Sequence, residues 1–170
     1  MSICRKDDGT RLIEDAKIIW PNFSGKPTKF NPAGGKRDFN VIIDDPDVAQ
    51  QMRDEGWNVK IKPPREEGDG VFCYMQVAVE YPTPEKNFPM KIVQFASKQA
   101  VDIPEEAVSN LDYARIKTAK MAIRPYHWQT ATGSGIKAYL KTLHIVLEEE
   151  DFAEDYAAYS NIAVDEDSPF

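Results

Sequence analysis

Along most of the chain the hydrophobic positions recur at every second residue, the spacing of a strand with one side in a core. "AKIIW" (16–20), "RDFNVII" (37–43), "NVKIK" (58–62), "VFCYMQVAVEY" (71–81), "MKIVQF" (90–95), "RIKTAKMAI" (115–123) and "IKAYLKTLHIVL" (136–147) are rich in β-branched and aromatic residues. Each is bounded by Gly, Pro or Asn clusters and predicts a strand. Helical signals occur twice. In "DDPDVAQQMRDEG" (44–56), Asp45 is a cap, Pro46 takes the first helical position, Val48 and Met52 lie one turn apart, and Gly56 is the stop. "IPEEAVSNLDYA" (103–114) repeats the Pro-then-acids opening in a shorter form. "TATGSG" (130–135) is a turn, so 115–147 reads as one large hairpin. "WPNFSGKPTKFNPAGGKR" (20–37) is a long loop carrying Phe23, Phe30, Lys26, Lys29, Lys36 and Arg37, and loops of this length are often functional.

Uneven strands, one or two short helices and long loops predict a mainly β fold, a small barrel or sandwich. An embellished five-stranded barrel of the OB type is the first choice. Strand parity then separates core from surface. In 115–129, Ala119, Met121 and Ile123 form the core side, and Lys120, Arg124, Tyr126 and Trp128 share the other. In 136–141, Ile136, Ala138 and Leu140 oppose Lys137, Tyr139 and Lys141. Beyond Thr142 the apolar parity switches to Leu143, Ile145 and Leu147, which predicts a bulge. Val71, Cys73, Met75, Val77 and Val79 form one side of their strand, with Phe72, Tyr74 and Gln76 on the other. Trp57, Val59 and Ile61 oppose Lys60 and Lys62. Water accepts exposed Lys and Arg readily but gives no reason for Tyr and Trp. A single ring of this kind is more often packed against a loop or a subunit than a ligand contact. The repetition over three strands is what points to a surface for unpaired bases, with rings for stacking and cations for phosphates.

The length of 170 residues and an apolar content of 42% suit one domain over 1–150 with a tail over 151–170. The formal net charge of −7 argues against nucleic acid until its distribution is considered. Nine acids and no base lie in 148–170; taking them from the 28 in the chain leaves 19 acids against all 21 Lys and Arg in 1–147, a net of +2. A mildly basic body therefore carries a strongly acidic end, and such an end is expected to be disordered. Two distant cysteines, Cys4 and Cys73, fit a reducing cytoplasm. No apolar run approaches a membrane span, and no signal peptide is visible.

Catalytic and metal chemistry finds no foothold. His127 and His144 belong to no metal-ligand motif, and no serine sits in a nucleophile elbow. "TGSGIK" lacks the spacing of a phosphate loop. The expectation is no catalytic residue, no metal and no cofactor.

Four segments carry a resemblance: "NFSGKPTKFNPAGGKRDFNVIID", "GWNVKIKPPREEGD", "LDYARIKTAKMAIRPYHW" and "SGIKAYLKTLHIVLEEEDFAEDY". Together they resemble phage single-stranded DNA-binding proteins with an OB-fold body and an acidic tail. The last residues, Asp165, Glu166, Asp167, Pro169 and Phe170, are similar to the acidic Pro-Phe tip of bacterial single-strand binding proteins. The resemblance implies sequence-tolerant binding of single-stranded DNA in replication, recombination and repair, inside a bacterial host, with the tail recruiting protein partners. The tail lacks a long Gly/Gln-rich linker, which favours a monomer or homodimer over the bacterial tetramer. On this reading Phe72, Tyr74, Tyr126, Trp128 and Tyr139 stack bases. Lys36, Arg37, Lys60, Lys62, Lys120, Arg124, Lys137 and Lys141 hold phosphates. An RNA-binding module of the same fold, or a phage structural protein whose aromatic side is an oligomer interface, are the alternatives.

Overall fold

The computed structural model describes residues 1–96 and 98–148. The acidic tail expected over 151–170, with its tip from Asp165 to Phe170, lies outside the described residues. In chain order the elements are β1 (Ser2–Arg5), β2 (Arg11–Asn22), β3 (Arg37–Ile42), α1 (Pro46–Glu55), β4 (Val59–Lys62), β5 (Phe72–Val79), β6 (Lys91–Ala96), β7 (Gln99–Asp102), a 3-10 helix (Val108–Tyr113), β8 (Ile116–Thr130) and β9 (Gly133–Leu147). The fold is mainly β. Five strands pair in the closed ring β2-β3-β5-β9-β8 and back to β2. Closure depends on a short parallel pairing, Val77 with Ala138 and Ala78 with Tyr139. This is a barrel of the OB type.

The expected parity holds where it was clearest. Cys73, Met75, Val77 and Val79 are buried, as are Ala119, Met121, Ile123, Ala138, Leu140, Leu143 and Ile145. They fill the barrel with Ile13, Phe39 and Val41, and each Val, Leu, Ile, Met or Phe among them contributes roughly 1.5–3 kcal/mol relative to exposure. The parity switch in β9 is a real bulge: Ala122 pairs with Thr142 but Ile123 pairs with Leu140, so Lys141 is the extra residue. There β9 changes partners on its second edge, from β5 at Ala138–Tyr139 to β6 at Thr142–Val146.

Helix α1 forms as its caps dictate. Asp45 accepts a hydrogen bond from the Asp47 N–H, and Gly56 closes the helix at φ 111°. The segment 103–114 yields only a 3-10 helix that buries Val108 and Leu111. Its Asp112 carboxylate accepts from the backbone N–H groups of Phe23 and Ser24, which ties the helix to the start of the 23–36 loop. β1 and β7 are edge strands that the hydrophobic pattern did not reveal. Both are short, and all of β7 is exposed.

Candidate nucleic-acid interface

The register of the barrel arranges the outward side chains in rows. Lys62 lies opposite Phe72, and Lys60 opposite Tyr74. Across β5 the Tyr74 row continues to Ile42 on β3 and Lys17 on β2. The next row holds Gln76, Asn40 and Ile19. The next runs from Asp38 and Ala78 to Tyr139 and Arg124. On the hairpin arm, Tyr126 pairs with Lys137 and Trp128 with Gly135.

Two clusters of rings stand on this surface. The first is Trp20, Phe72 and Tyr74. Trp20 meets Tyr74 edge-on at 5.0 Å between centroids and Phe72 at 6.0 Å, and Phe72 lies 5.3 Å from Tyr74. Trp20 is 58% exposed. Simple alternation after Ala16 and Ile18 would turn Trp20 inward. Instead the β2–β3 register shifts between Ile19 and Asn22, and Trp20 adopts φ 49°, which re-aims its indole outward. Lys17, Lys60 and Lys62 border this cluster and form no ion pair among the described residues.

The second cluster is Tyr126 and Tyr139, edge-on at 5.5 Å. The Arg124 guanidinium lies 4.7 Å from the Tyr139 ring and 5.0 Å from Phe88, held between the two. Lys137 Nζ lies 5.3 Å from the Tyr139 centroid. Trp128 lies flat over Gly135: a Cβ there would come within 2.7 Å of its Cζ2. Tyr126, Tyr139 and Trp128 are thus outside the core, on one side of the β8–β9 arm.

Between the clusters lies a polar strip. Gln76 Nε2 donates to Asp38 Oδ2 at 2.7 Å. Burial raises the Asp38 carboxyl above its ordinary value, opposed by that hydrogen bond and by the Lys137 charge.

Three candidate cations stand apart. Arg37 has the parity of buried Phe39 and Val41. It sits at the barrel end beside Glu105, at 3.9 Å. Lys120 pairs with Glu14 at 3.6 Å and lines a separate cleft of about 330 Å³ with Phe95, Thr118 and His144. Lys141 occupies the bulge and pairs with Asp8 at 3.7 Å. Lys36 is exposed on the 23–36 loop. That loop buries Phe23 against Phe39 and exposes Phe30 almost fully. Trp20, Lys17, Phe88 and the strip residues Asp38 and Asn40 are contributions that strand parity did not single out. Trp20 was hidden by its bulge and Phe88 by its loop. Among the described residues no group of three side chains is placed to hold a metal ion.

The OB barrel binds oligonucleotides, where it does so, on the side formed by its second and third strands, flanked by the loops after strands one and four. Here those strands are β3 and β5, and those loops are 23–36 and the turn between β8 and β9. Both ring clusters and the strip fall on or beside that side. Residues 3–168 match the family described as "Putative phage ssDNA-binding domain". The chain belongs to this phage single-stranded DNA-binding family. Among solved structures it is similar to the single-stranded DNA-binding protein from bacteriophage Enc34 in complex with ssDNA, with TM-score 0.54 and 13% identity over 86% of this chain and 90% of that one. A C-terminal truncation of the Enc34 protein gives TM-score 0.50 and 15% identity over 85% and 88%. At these identities the likeness is one of fold. No curated protein matches the chain.

Proposed function

We propose that this phage-family chain coats single-stranded DNA without catalysis during replication, recombination and repair in the cytoplasm of a bacterial host. The observation that carries the reading is the pair of exposed ring clusters, each bordered by cations, on the side of the barrel suited to oligonucleotides. Trp20, Phe72, Tyr74, Tyr126, Trp128 and Tyr139 offer stacking surfaces, which every base can use because every base has a π face. Lys17, Lys60, Lys62, Lys137 and Arg124 take phosphates, with Lys36 reaching from the loop. Arg37, Lys120 and Lys141 serve the barrel's own ion pairs first. The acidic end competes with DNA for the basic surface, and its tip, from Asp165 to Phe170, docks on a basic-rimmed apolar pocket of a replication or recombination protein.

Titration with oligo-dT at low salt tests the reading. Trp57 is buried, so quenching of tryptophan fluorescence would report Trp20 and Trp128. Six phosphate contacts give a slope of log K against log salt of about −4. Failure of the protein to bind at low salt would end the proposal.

A further inference from the structure

A surface that takes phosphates has no electrostatic use for a carboxylate, yet Asp38 stands on it, level with Ala78 and hydrogen-bonded to Gln76, which lies between the rows of Tyr74 and Tyr139. Along β5, Tyr74 and Ala78 are four residues apart, about 13 Å. Ala78 pairs with Asp38 on one edge and with Tyr139 on the other. A strand stacked on both clusters therefore crosses the strip with one or two nucleotides. A phosphate turned toward Asp38 would be repelled, so the nucleotide there presents its base edge. Asp38 Oδ2 already accepts from Gln76, while Oδ1 has no hydrogen-bond partner among the described residues. Gln76 spends one donor on that bond, and its carbonyl oxygen has no hydrogen-bond partner among the described residues. The pair is consequently rich in acceptors. Bases differ in how they meet acceptors. Cytosine and adenine offer an amino group, and guanine offers adjacent N1–H and N2–H donors. Thymine has only N3–H, set between two carbonyl oxygens that a carboxylate repels.

We propose that Asp38, oriented by Gln76, is a specificity-determining residue that favours amino-bearing bases over thymine where the binding path crosses the polar strip. This rests on the proposed binding of single-stranded DNA and adds a graded preference to the tolerant stacking on either side. Stacking supplies most of the affinity, so thymine tracts still bind.

The test compares 12-nucleotide oligo-dC and oligo-dT on the full chain, for the wild type, Asp38→Asn, Asp38→Ala and Gln76→Ala. Fluorescence anisotropy of labelled oligomers is the measurement, at pH 7.5 and fixed salt. The ratio of dC to dT affinity should fall roughly fivefold in Asp38→Ala, the low end of one base-edge contact. Affinity for dT should hold or rise, because a negative charge is gone. Asp38→Asn, which keeps the shape, should give a smaller fall, and Gln76→Ala a partial one. A rise of equal size for both oligomers in Asp38→Ala and Asp38→Asn would show that the carboxylate acts only through its charge and would overturn the assignment. A wild type that binds neither oligomer would instead refute DNA binding itself, and the two failures are distinct.

Discussion

At the residue scale, Trp20 is the side chain whose placement does most to build the interface. Its ring touches both Tyr74 and Phe72 and still leaves more than half its surface to solvent. Trp20→Ala is expected to lose about 1–3 kcal/mol of oligo-dT affinity, the usual cost of one stacked base, and to reduce the amplitude of fluorescence quenching. The fold should survive, because only edge contacts worth about 0.5–1.5 kcal/mol each are removed. Loss of binding together with loss of the folded circular-dichroism spectrum would contradict this placement. Tyr81 shows the opposite case, a polar aromatic with a structural task. Its hydroxyl donates to the Ile103 carbonyl at 3.0 Å, and burial is the chief cause that pushes its pKa from 10.0 to about 12. The folded state thus holds the phenolic proton more tightly than the unfolded chain. The stability this confers is complete below pH 10 and is lost as pH rises toward 12. Tyr81→Phe should cost about 1 kcal/mol at pH 7 in urea unfolding, show a shallower loss between pH 10 and 12, and leave DNA affinity unchanged.

At the scale of elements, alternation located the buried sides of β5, β8 and β9 because one side of each is in the core and the other in water. The same logic had mixed success where the chain breaks register. The β9 bulge at Lys141 was legible, since it shifts a run of large apolar residues onto the opposite parity. The bulge at the end of β2 was not, because it falls beside a loop and moves only Trp20. Lys120 and Lys141 share strand parity with the ring-bearing positions, yet a closed barrel curves. Lys120, six residues from Tyr126, then faces a different neighbour, and Lys141 is turned aside by the bulge two residues past Tyr139; these two pair with Glu14 and Asp8. Charge partners of that kind are long-range and leave no local mark. The hairpin arm of β8 and β9 owes its shape to a glycine. Gly135 makes room for the Trp128 indole, and a side chain there must displace it. Gly135→Val is expected to shift the Trp128 emission and weaken oligo-dT binding severalfold, with the barrel intact. An unchanged spectrum and affinity would show that Trp128 has room to spare and no part in stacking.

At the scale of the whole molecule, the barrel class was readable from strand count and loop composition. The closure was not, because two parallel pairs between β5 and β9, some sixty residues apart, have no signature in either segment. The charge asymmetry was legible in full, being a property of composition alone, and it leads to the most exposed consequence of the functional reading. Residues 1–147 carry a net of +2, and the nine acids of 148–170 more than cancel it. Removing 151–170 deletes six of those acids and no base, taking the chain from −7 to −1. If the acidic end competes with phosphates for Lys17, Lys60, Lys62 and Lys137, the shortened chain must bind oligo-dT more tightly, and most of all at low salt. With a Debye length of about 30 Å at 0.01 M and 3 Å at 1 M, the advantage should shrink steadily as salt is added. Affinities of both chains across a salt series supply the check. A gain that is independent of salt would assign the end a steric role, and a shortened chain that binds more weakly would make the acidic end part of the binding machinery, contrary to competition.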